Sequence, residues 1–142
     1  MKTSARNVFH GKVVAVRSGA VNDEVELSVE GGQTIVASIT QASTEKLGLK
    51  PGVEAMALIK ASFVLLMNDA EDYLLSTRNQ FNGTVAKVTP GVVNAEVLVD
   101  LPGGAGITSI VTMGSVDKLQ LAPGKKVTAI VKAMHVILAV SK

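Results

Sequence analysis

The sequence contains no cysteine in its 142 residues. Disulfides, thiolate metal sites and a cysteine nucleophile are therefore excluded. The only two histidines, His10 and His135, have no second histidine or carboxylate at ligand spacing, which argues against a zinc or catalytic site. Neither a glycine-lysine-serine/threonine sequence nor a predicted helix follows Gly31-Gly32, so this pair is not a phosphate loop. These absences indicate a binding protein without enzymatic activity.

Large aromatic residues are almost as scarce, at 3% of the chain. Proteins that bind single-stranded nucleic acid stack bases on aromatic side chains in a basic groove. The net charge here is only +2, and neither half of the chain carries a basic run. We therefore expect no nucleic-acid partner. A module that binds single-stranded nucleic acid is kept as the alternative function.

Long apolar segments are also missing. The longest apolar run, 63–67, is far too short to span a bilayer. The N-terminal residues do not form an apolar signal segment. The expectation is a cytoplasmic protein that does not contact a membrane.

Aliphatic residues, by contrast, are abundant, and hydrophobic residues make up 47% of the chain. A core of Val, Ile, Leu and Ala with few rings fits small, closely wound β-barrels. Modules of roughly 70 residues lie near the lower limit for independent stability. Association with another module or subunit is therefore expected.

The chain contains one module twice. Residues 4–67 align without a gap on residues 76–139, with identity at 27 of 64 positions. A repeat of this kind defines the architecture before any other feature. It predicts modules at 1–68 and 73–142, joined by a connector at 69–72 that is too short to let them separate.

Each module predicts five strands and one short helix. In the first copy the strands fall at 9–17, 21–29, 33–39, 53–60 and 62–67, and the helix lies within 40–49. Glu30-Gly31-Gly32-Gln33 predicts a hairpin, because adjacent glycines supply positive φ. Ser43 and Ser115 are the predicted helix N-caps. Gly48 with Pro51-Gly52 is the predicted stop of the first helix, and Pro123-Gly124 that of the second. The fold class is all-β with one short helix per module, as tandem OB-like five-stranded barrels; two antiparallel sandwiches are the alternative.

The first candidate site is a run of hydrogen-bond donors that opens each copy: Ser4-Ala5-Arg6-Asn7 and Ser76-Thr77-Arg78-Asn79. It offers hydroxyl, guanidinium, amide and backbone N–H groups without an acid, which suits an anion. The structural alternative is that the arginine pairs with a surface acid while serine and asparagine satisfy a strand edge. The sequence leaves both open.

Two further segments recur. A lysine stands between two apolar strands, where its ammonium needs a partner or a path to solvent. A turn with asparagine is in the first place structural, because Asn tolerates a left-handed backbone. The alternative is that its backbone N–H groups form a nest for an anion, and Glu24 and Glu96 would then have to point away. The segments are Lys60-Ala61-Ser62 with Lys132-Ala133-Met134, and Val21-Asn22 with Val93-Asn94.

Four motifs occur together in this order: duplicated Ser-Ala-Arg-Asn-x-Phe-x-Gly-x-Val, Gly-Ala-Val-Asn-x-Glu-Val, Thr-x-x-Ser before Leu-x-Leu-x-Pro-Gly, and Ile-Lys-Ala-Ser-x-Val. Together they resemble the molbindins, which are cytoplasmic molybdate-binding proteins built from Mop (TOBE-type) modules. The resemblance covers nearly the whole chain and matches the two-module form. It implies binding of molybdate or tungstate for storage, no further cofactor, and a homotrimer that holds oxyanions between modules and subunits.

The resemblance also implies which residues bind. In the first copy they are Ser4, Ala5, Arg6 and Asn7 with Lys60, Ala61 and Ser62; in the second they are Ser76, Thr77, Arg78 and Asn79 with Lys132 and Ala133. Met134 departs from the family's serine, so the two sites should differ by one hydroxyl. The Val21-Asn22 and Val93-Asn94 turns would contribute from a neighbouring subunit.

The donor composition agrees with this assignment. Molybdate is a tetrahedral dianion without a proton at neutral pH, so it only accepts hydrogen bonds. A pocket of donors alone should hold it and disfavour phosphate, whose proton would find no acceptor. Sulfate has the same charge and shape, and only pocket size can separate it from molybdate.

Overall fold

The computed structural model describes residues 1–142, and β-strands account for most of it. Each repeat contains three strands, a seven-residue helix and two further strands. In order, the elements are β1 (Asn7–Ser18), β2 (Asn22–Val29), β3 (Thr34–Thr40), α1 (Gln41–Leu47), β4 (Glu54–Ile59), β5 (Val64–Met67), β6 (Asn79–Pro90), β7 (Asn94–Asp100), β8 (Gly106–Thr112), α2 (Met113–Leu119), β9 (Lys126–Val131) and β10 (Ile137–Ala139). The predicted all-β class with one short helix per module is confirmed.

The strands form two curled five-stranded sheets, ordered β10-β4-β1-β2-β3 and β5-β9-β6-β7-β8. All neighbouring strands are antiparallel. The first strand of each repeat is long and central, and it pairs with two partners along its length. This is the tandem OB-like arrangement expected from the strand plan.

The last strand of each repeat belongs to the sheet of the other repeat. Strand β5 pairs with β9, with Val64 opposite Val131, and β10 pairs with β4, with Leu138 opposite Ala57. Each sheet therefore takes four strands from one repeat and one from the other. The sequence predicted five strands per repeat but not this exchange.

The exchange leads to a prediction about isolated residues 1–72. This fragment would hold β1 to β4 with an open edge on β4 and an unpaired β5. Because β5 is the repeat counterpart of β10, we expect two fragments to dimerise by placing each β5 on the other's β4. Size-exclusion chromatography with light scattering would show the dimer. A monomer with a cooperative thermal transition would instead support 1–68 as a self-sufficient folding unit.

The core consists of aliphatic side chains that alternate along the strands. Val25, Leu27 and Ile35 are almost fully buried, and their counterparts in the second repeat are buried in the same way. Phe9 and Phe81 are 5% and 4% exposed. Both rings therefore lie in the core and are unavailable for stacking on bases, which weakens the nucleic-acid alternative.

The recurring glycine of the first strand marks a close approach of two backbones. A Cβ on Gly11 would lie 2.2 Å from the Ser28 carbonyl oxygen, and one on Gly83 would lie 2.4 Å from that of Asp100. No side chain fits at either position without moving the neighbouring strand. The glycines of the motif are thus explained by the fold alone.

The helix boundaries correct the sequence prediction. Thr40 and Thr112, and not Ser43 and Ser115, are the N-caps, and each threonine hydroxyl accepts the N–H three residues later, at 3.1 Å. The capping oxygen belongs to the residue before the helix, whereas Ser43 and Ser115 lie inside it as the bonded N–H donors. Gly48 ends α1 in the left-handed conformation, as predicted, but Gln120 ends α2, ahead of Pro123-Gly124.

Candidate functional site

The predicted donor stretches lie where the two repeats meet. The first seam is defined here as the region where Ser4–Asn7 and the turn Lys60–Phe63 meet the β7–β8 side of the second repeat. The second seam is its counterpart, formed by Ser76–Asn79, the turn Lys132–His135 and the β2–β3 side of the first repeat. Every seam therefore combines segments of both repeats.

The asparagine of each stretch crosses its seam and binds backbone. Asn79 is fully buried; its amide donates to the Val36 carbonyl at 2.7 Å and accepts from the Val36 N–H at 2.8 Å. Asn7 does the same with Thr108, at 2.8 and 2.7 Å, and also donates to the Ile59 carbonyl at 3.3 Å. Each asparagine thereby acts as a strand partner for an edge strand of the other repeat. Both side-chain amides are occupied and do not face an open cavity.

The arginine of each stretch also crosses its seam, and it meets a carboxylate. Arg6 pairs with Glu96, and Arg78 pairs with Glu24. Both glutamates therefore reach a seam, where the sequence required them to point away only if the asparagine turns held an anion. The sequence analysis named both glutamates without assigning either as the partner of an arginine; their signal was their recurrence 72 positions apart beside the asparagine turn.

The second seam contains an open cavity of about 640 Å³. Five of the predicted residues line it: Ser76, Thr77, Arg78, Lys132 and Ala133. Glu24 and Ser38 supply polar groups from the first repeat, and the rest of the wall is mostly apolar, including Met134 and the β5 side chains Leu65, Leu66 and Met67. The cavity is larger than a five-atom anion needs, and Glu24 makes it an acceptor as well as a donor site. The expected donor-only pocket is corrected in this respect.

Hydrogen bonds within the chain already use the hydroxyl of Thr77. It donates to the Val131 carbonyl at 2.8 Å and accepts from the Asn79 N–H at 3.2 Å. Only the backbone N–H of Thr77 is therefore left for a ligand. Its counterpart Ala5 has no hydroxyl, and its N–H donates to the Thr3 hydroxyl at 3.1 Å.

Among the cationic side chains of the seams, Lys60 and Lys132 have no acidic partner. Neither Lys60 nor Lys132 takes part in any of the chain's ion pairs, all of which use arginine. Both lysines are exposed at the start of a single-turn 3-10 helix, at Ala61–Phe63 and Ala133–His135. The Lys60 ammonium lies 5.7 Å from the centre of the Phe63 ring. Each seam therefore has one ammonium that is free to bind an anion.

The two lysine turns touch each other. The rings of Phe63 and His135, which occupy equivalent positions in the repeats, stack with centroids 4.3 Å apart and an interplanar angle of 24°. Ala61 is buried, while Ser62 and Met134 are exposed at the same point of the two turns. His135 thus joins the two turns through its ring.

The asparagine turns lie apart from the cavity. Val21 and Val93 are 72% and 70% exposed, and Asn22 and Asn94 are exposed as well. The backbone carbonyls of Val21 and Val93 accept the first N–H groups of α1 and α2, at 2.9 and 2.8 Å. Within one chain these turns support the helix starts and do not line the second seam's cavity.

Together the fold and the seams define a duplicated OB-like barrel protein that collects cationic and N–H donor groups between its repeats. A family model described as "TOBE domain" matches residues 3–66 and 75–138. The chain belongs to the TOBE family and carries two tandem copies of its domain. No helix in the structure has the length and apolar character needed to span a membrane.

Similar proteins share a connection with molybdenum. The chain is 48% identical over 139 residues to the molybdenum-pterin-binding protein MopA of Rhodobacter capsulatus, covering 98% of this chain and 52% of that protein. It is 44% identical over 142 residues to the molybdenum transport protein ModE of Herbaspirillum seropedicae, covering 100% and 53%. The chain thus spans about half the length of the curated relatives it matches.

A solved structure matches along both full lengths. The cytoplasmic molybdate-binding protein ModG, with molybdate bound, has a TM-score of 0.96 and 48% sequence identity to this chain, covering 99% of this chain and 100% of that one. The match therefore includes both repeats, in the same order, and concerns the sequence as well as the fold.

Proposed function

We propose that this protein binds molybdate at its two seams. The observation that carries the proposal is the match to molybdate-bound ModG over the entire chain, at 48% identity. The seams supply a physical basis, since the second brings the unpaired Lys132 next to Ser76 and the Thr77 backbone, and the first carries the equivalent segments. Charge-assisted hydrogen bonds are the strong ones in such a site.

The proposed ligands follow from what each group is free to do. Lys60 and Lys132 supply charge, and the backbone N–H groups and serine hydroxyls of the donor stretches and lysine turns supply neutral hydrogen bonds. The asparagines hold the seam and contribute only through their backbone. Arg6 and Arg78 remain in the proposed site, although glutamates share their charge. Tungstate, with the same charge and shape, is proposed to bind about as well as molybdate.

We further propose that the protein works as a cytoplasmic homotrimer that stores or buffers the oxyanion without catalysis. Its surface supports association, because large apolar side chains stand exposed next to the second seam and on the second asparagine turn. Leu65 and Met134 are 64% and 56% exposed, and Val92 at the tip of the second asparagine turn is 99% exposed. A neighbouring subunit that brings its asparagine turn to a seam would cover such side chains and narrow an otherwise open cavity.

Calorimetric titration of the purified protein with molybdate tests the proposal. We expect saturable binding of molybdate and tungstate, and much weaker binding of the smaller sulfate, because a neighbouring subunit would narrow the cavity to the size of the larger anions. Native mass spectrometry with and without molybdate would report the subunit number in the same preparation. No heat and no bound mass at millimolar molybdate would overturn the proposed function.

A further inference from the structure

The ion pairs across the seams carry an inference that rests on the proposed function. Both arginines of the donor stretches meet a glutamate from the second strand of the opposite repeat. The pairing recurs at both seams, at positions equivalent in the repeat. The recurrence of this contact in both copies indicates a property of the module and not a chance surface pair.

A carboxylate in this place opposes an anion in two ways. It occupies the guanidinium donors that the anion would use, and it repels a dianion bound nearby. At the second seam Glu24 lines the same cavity as Ser76 and Lys132, so the repulsion acts within the cavity itself. The side chains of Arg6 and Arg78 are 54% and 52% exposed, which leaves each guanidinium room to turn from its glutamate toward a ligand.

We propose that Glu24 and Glu96 set the affinity of the two seams, each by competing with the bound oxyanion for the arginine of its seam. The arginine is shared between carboxylate and ligand, while the unpaired lysine gives its charge to the ligand alone. This arrangement keeps binding weaker than the donor set would allow, and so makes it readily reversible.

The second seam carries an additional arginine and glutamate, Arg17 and Glu26, that the first seam lacks. Arg17 lies 3.6 Å from Glu24 and 3.0 Å from Glu26, and Arg78 lies 3.8 Å from Glu26. The equivalent positions in the second repeat are Thr89 and Leu98, which are uncharged. The second seam is therefore balanced by two arginines and two glutamates, and the first by one of each.

The test replaces the two glutamates by glutamine, singly and together, and measures molybdate binding by calorimetry. Glutamine keeps the size of the side chain and removes its charge. We expect Glu24→Gln with Glu96→Gln to tighten binding by about three- to tenfold, the size expected for one charge acting on a dianion in a partly solvated site. Glu45→Gln, on the exposed face of α1 and outside every ion pair, controls for the change in net charge.

Arg17 and Glu26 allow a second test in the same assay: whether removing a negative charge and removing a positive charge change the affinity in opposite directions. Glu26→Leu and Arg17→Thr introduce residues that the chain itself uses at the equivalent positions, so both should fold. Glu26→Leu leaves the second seam with a surplus positive charge and should tighten binding. Arg17→Thr leaves a surplus negative charge and should weaken it, and the double variant should return close to the original affinity.

The outcomes separate this inference from the proposed function. If the original protein binds molybdate but the glutamine variants bind equally or more weakly, the glutamates only brace the seam and the inference is wrong. Four variants change the second seam: Glu24→Gln, Glu26→Leu, Arg17→Thr and the double variant of the last two. If all of them weaken binding, whichever charge they remove, the inference is likewise wrong. If the original protein binds no molybdate, the proposed function fails and the inference fails with it.

Discussion

Replacing Lys60 and Lys132 by alanine is expected to remove most of the affinity for molybdate. Each lysine is the one cation of its seam that no carboxylate neutralises, so its whole charge is available to the ligand. A charge-assisted hydrogen bond contributes about 1.5–3 kcal/mol. Each single variant should therefore weaken its site about tenfold to a hundredfold, as measured by calorimetric titration of both variants and the pair.

Two controls make this result specific. Lys46→Ala, on exposed α1, changes the net charge equally and should leave the isotherm unchanged. Lys60→Met keeps the apolar stem next to the Phe63 ring while removing the ammonium, so it should weaken binding as much as alanine does. An unchanged isotherm for the double alanine variant would refute the proposed placement of the sites at the seams.

Replacing Asn79 by alanine is expected to produce the largest loss of stability of any seam substitution. Asn79 is fully buried, and its amide satisfies both the N–H and the carbonyl of Val36. Each buried backbone group left without a partner costs about 1–3 kcal/mol. For a chain of this size the sum lowers the melting temperature by roughly 5–20 °C, which thermal unfolding followed by circular dichroism would measure.

The equivalent Asn7→Ala variant is the matched comparison. Asn7 makes the same pair of bonds to Thr108, but that strand position is only partly buried, so water can replace the lost partner. We expect a clearly smaller loss than for Asn79→Ala. Gln80→Ala, at an exposed neighbouring position, should change the melting temperature little. Equal stability of the Asn79→Ala variant and the original chain would show that the cross-seam amide bonds contribute little to folding.

Much of the fold could be predicted from local patterns. The alternation in 21–29 indicates a half-buried strand, and β2 is observed at Asn22–Val29. Gly31 and Gly32 adopt the positive φ predicted for the hairpin, at 83° and 86°. These features are local because residue size, backbone freedom and periodicity act over a few neighbouring positions. The predicted N-caps were wrong by three residues, because a threonine and a serine both stand near the start of each helix and either side chain could cap it.

The recurring polar segments could be identified from the sequence, but their contacts could not. At the second seam the donor stretch and the lysine come together, since Ser76 and Lys132 line one cavity. The partners of Arg78 and Asn79 come from β2 and β3, more than 40 positions earlier in the chain. No local pattern connects residues that far apart. The structural alternative for arginine and asparagine, pairing with an acid and satisfying a strand edge, describes the contacts that both make.

The sequence by itself determined that there are two copies of one five-stranded module, each with a short helix and the same polar residues at its ends. Only the tertiary structure decided that β5 and β10 change places, and which glutamate meets which arginine. The physical reason is that the two repeats present nearly identical open edges. A short apolar strand such as Val64–Met67 fits either edge by pattern alone, and only the folded chain shows that it pairs with the edge of the other repeat.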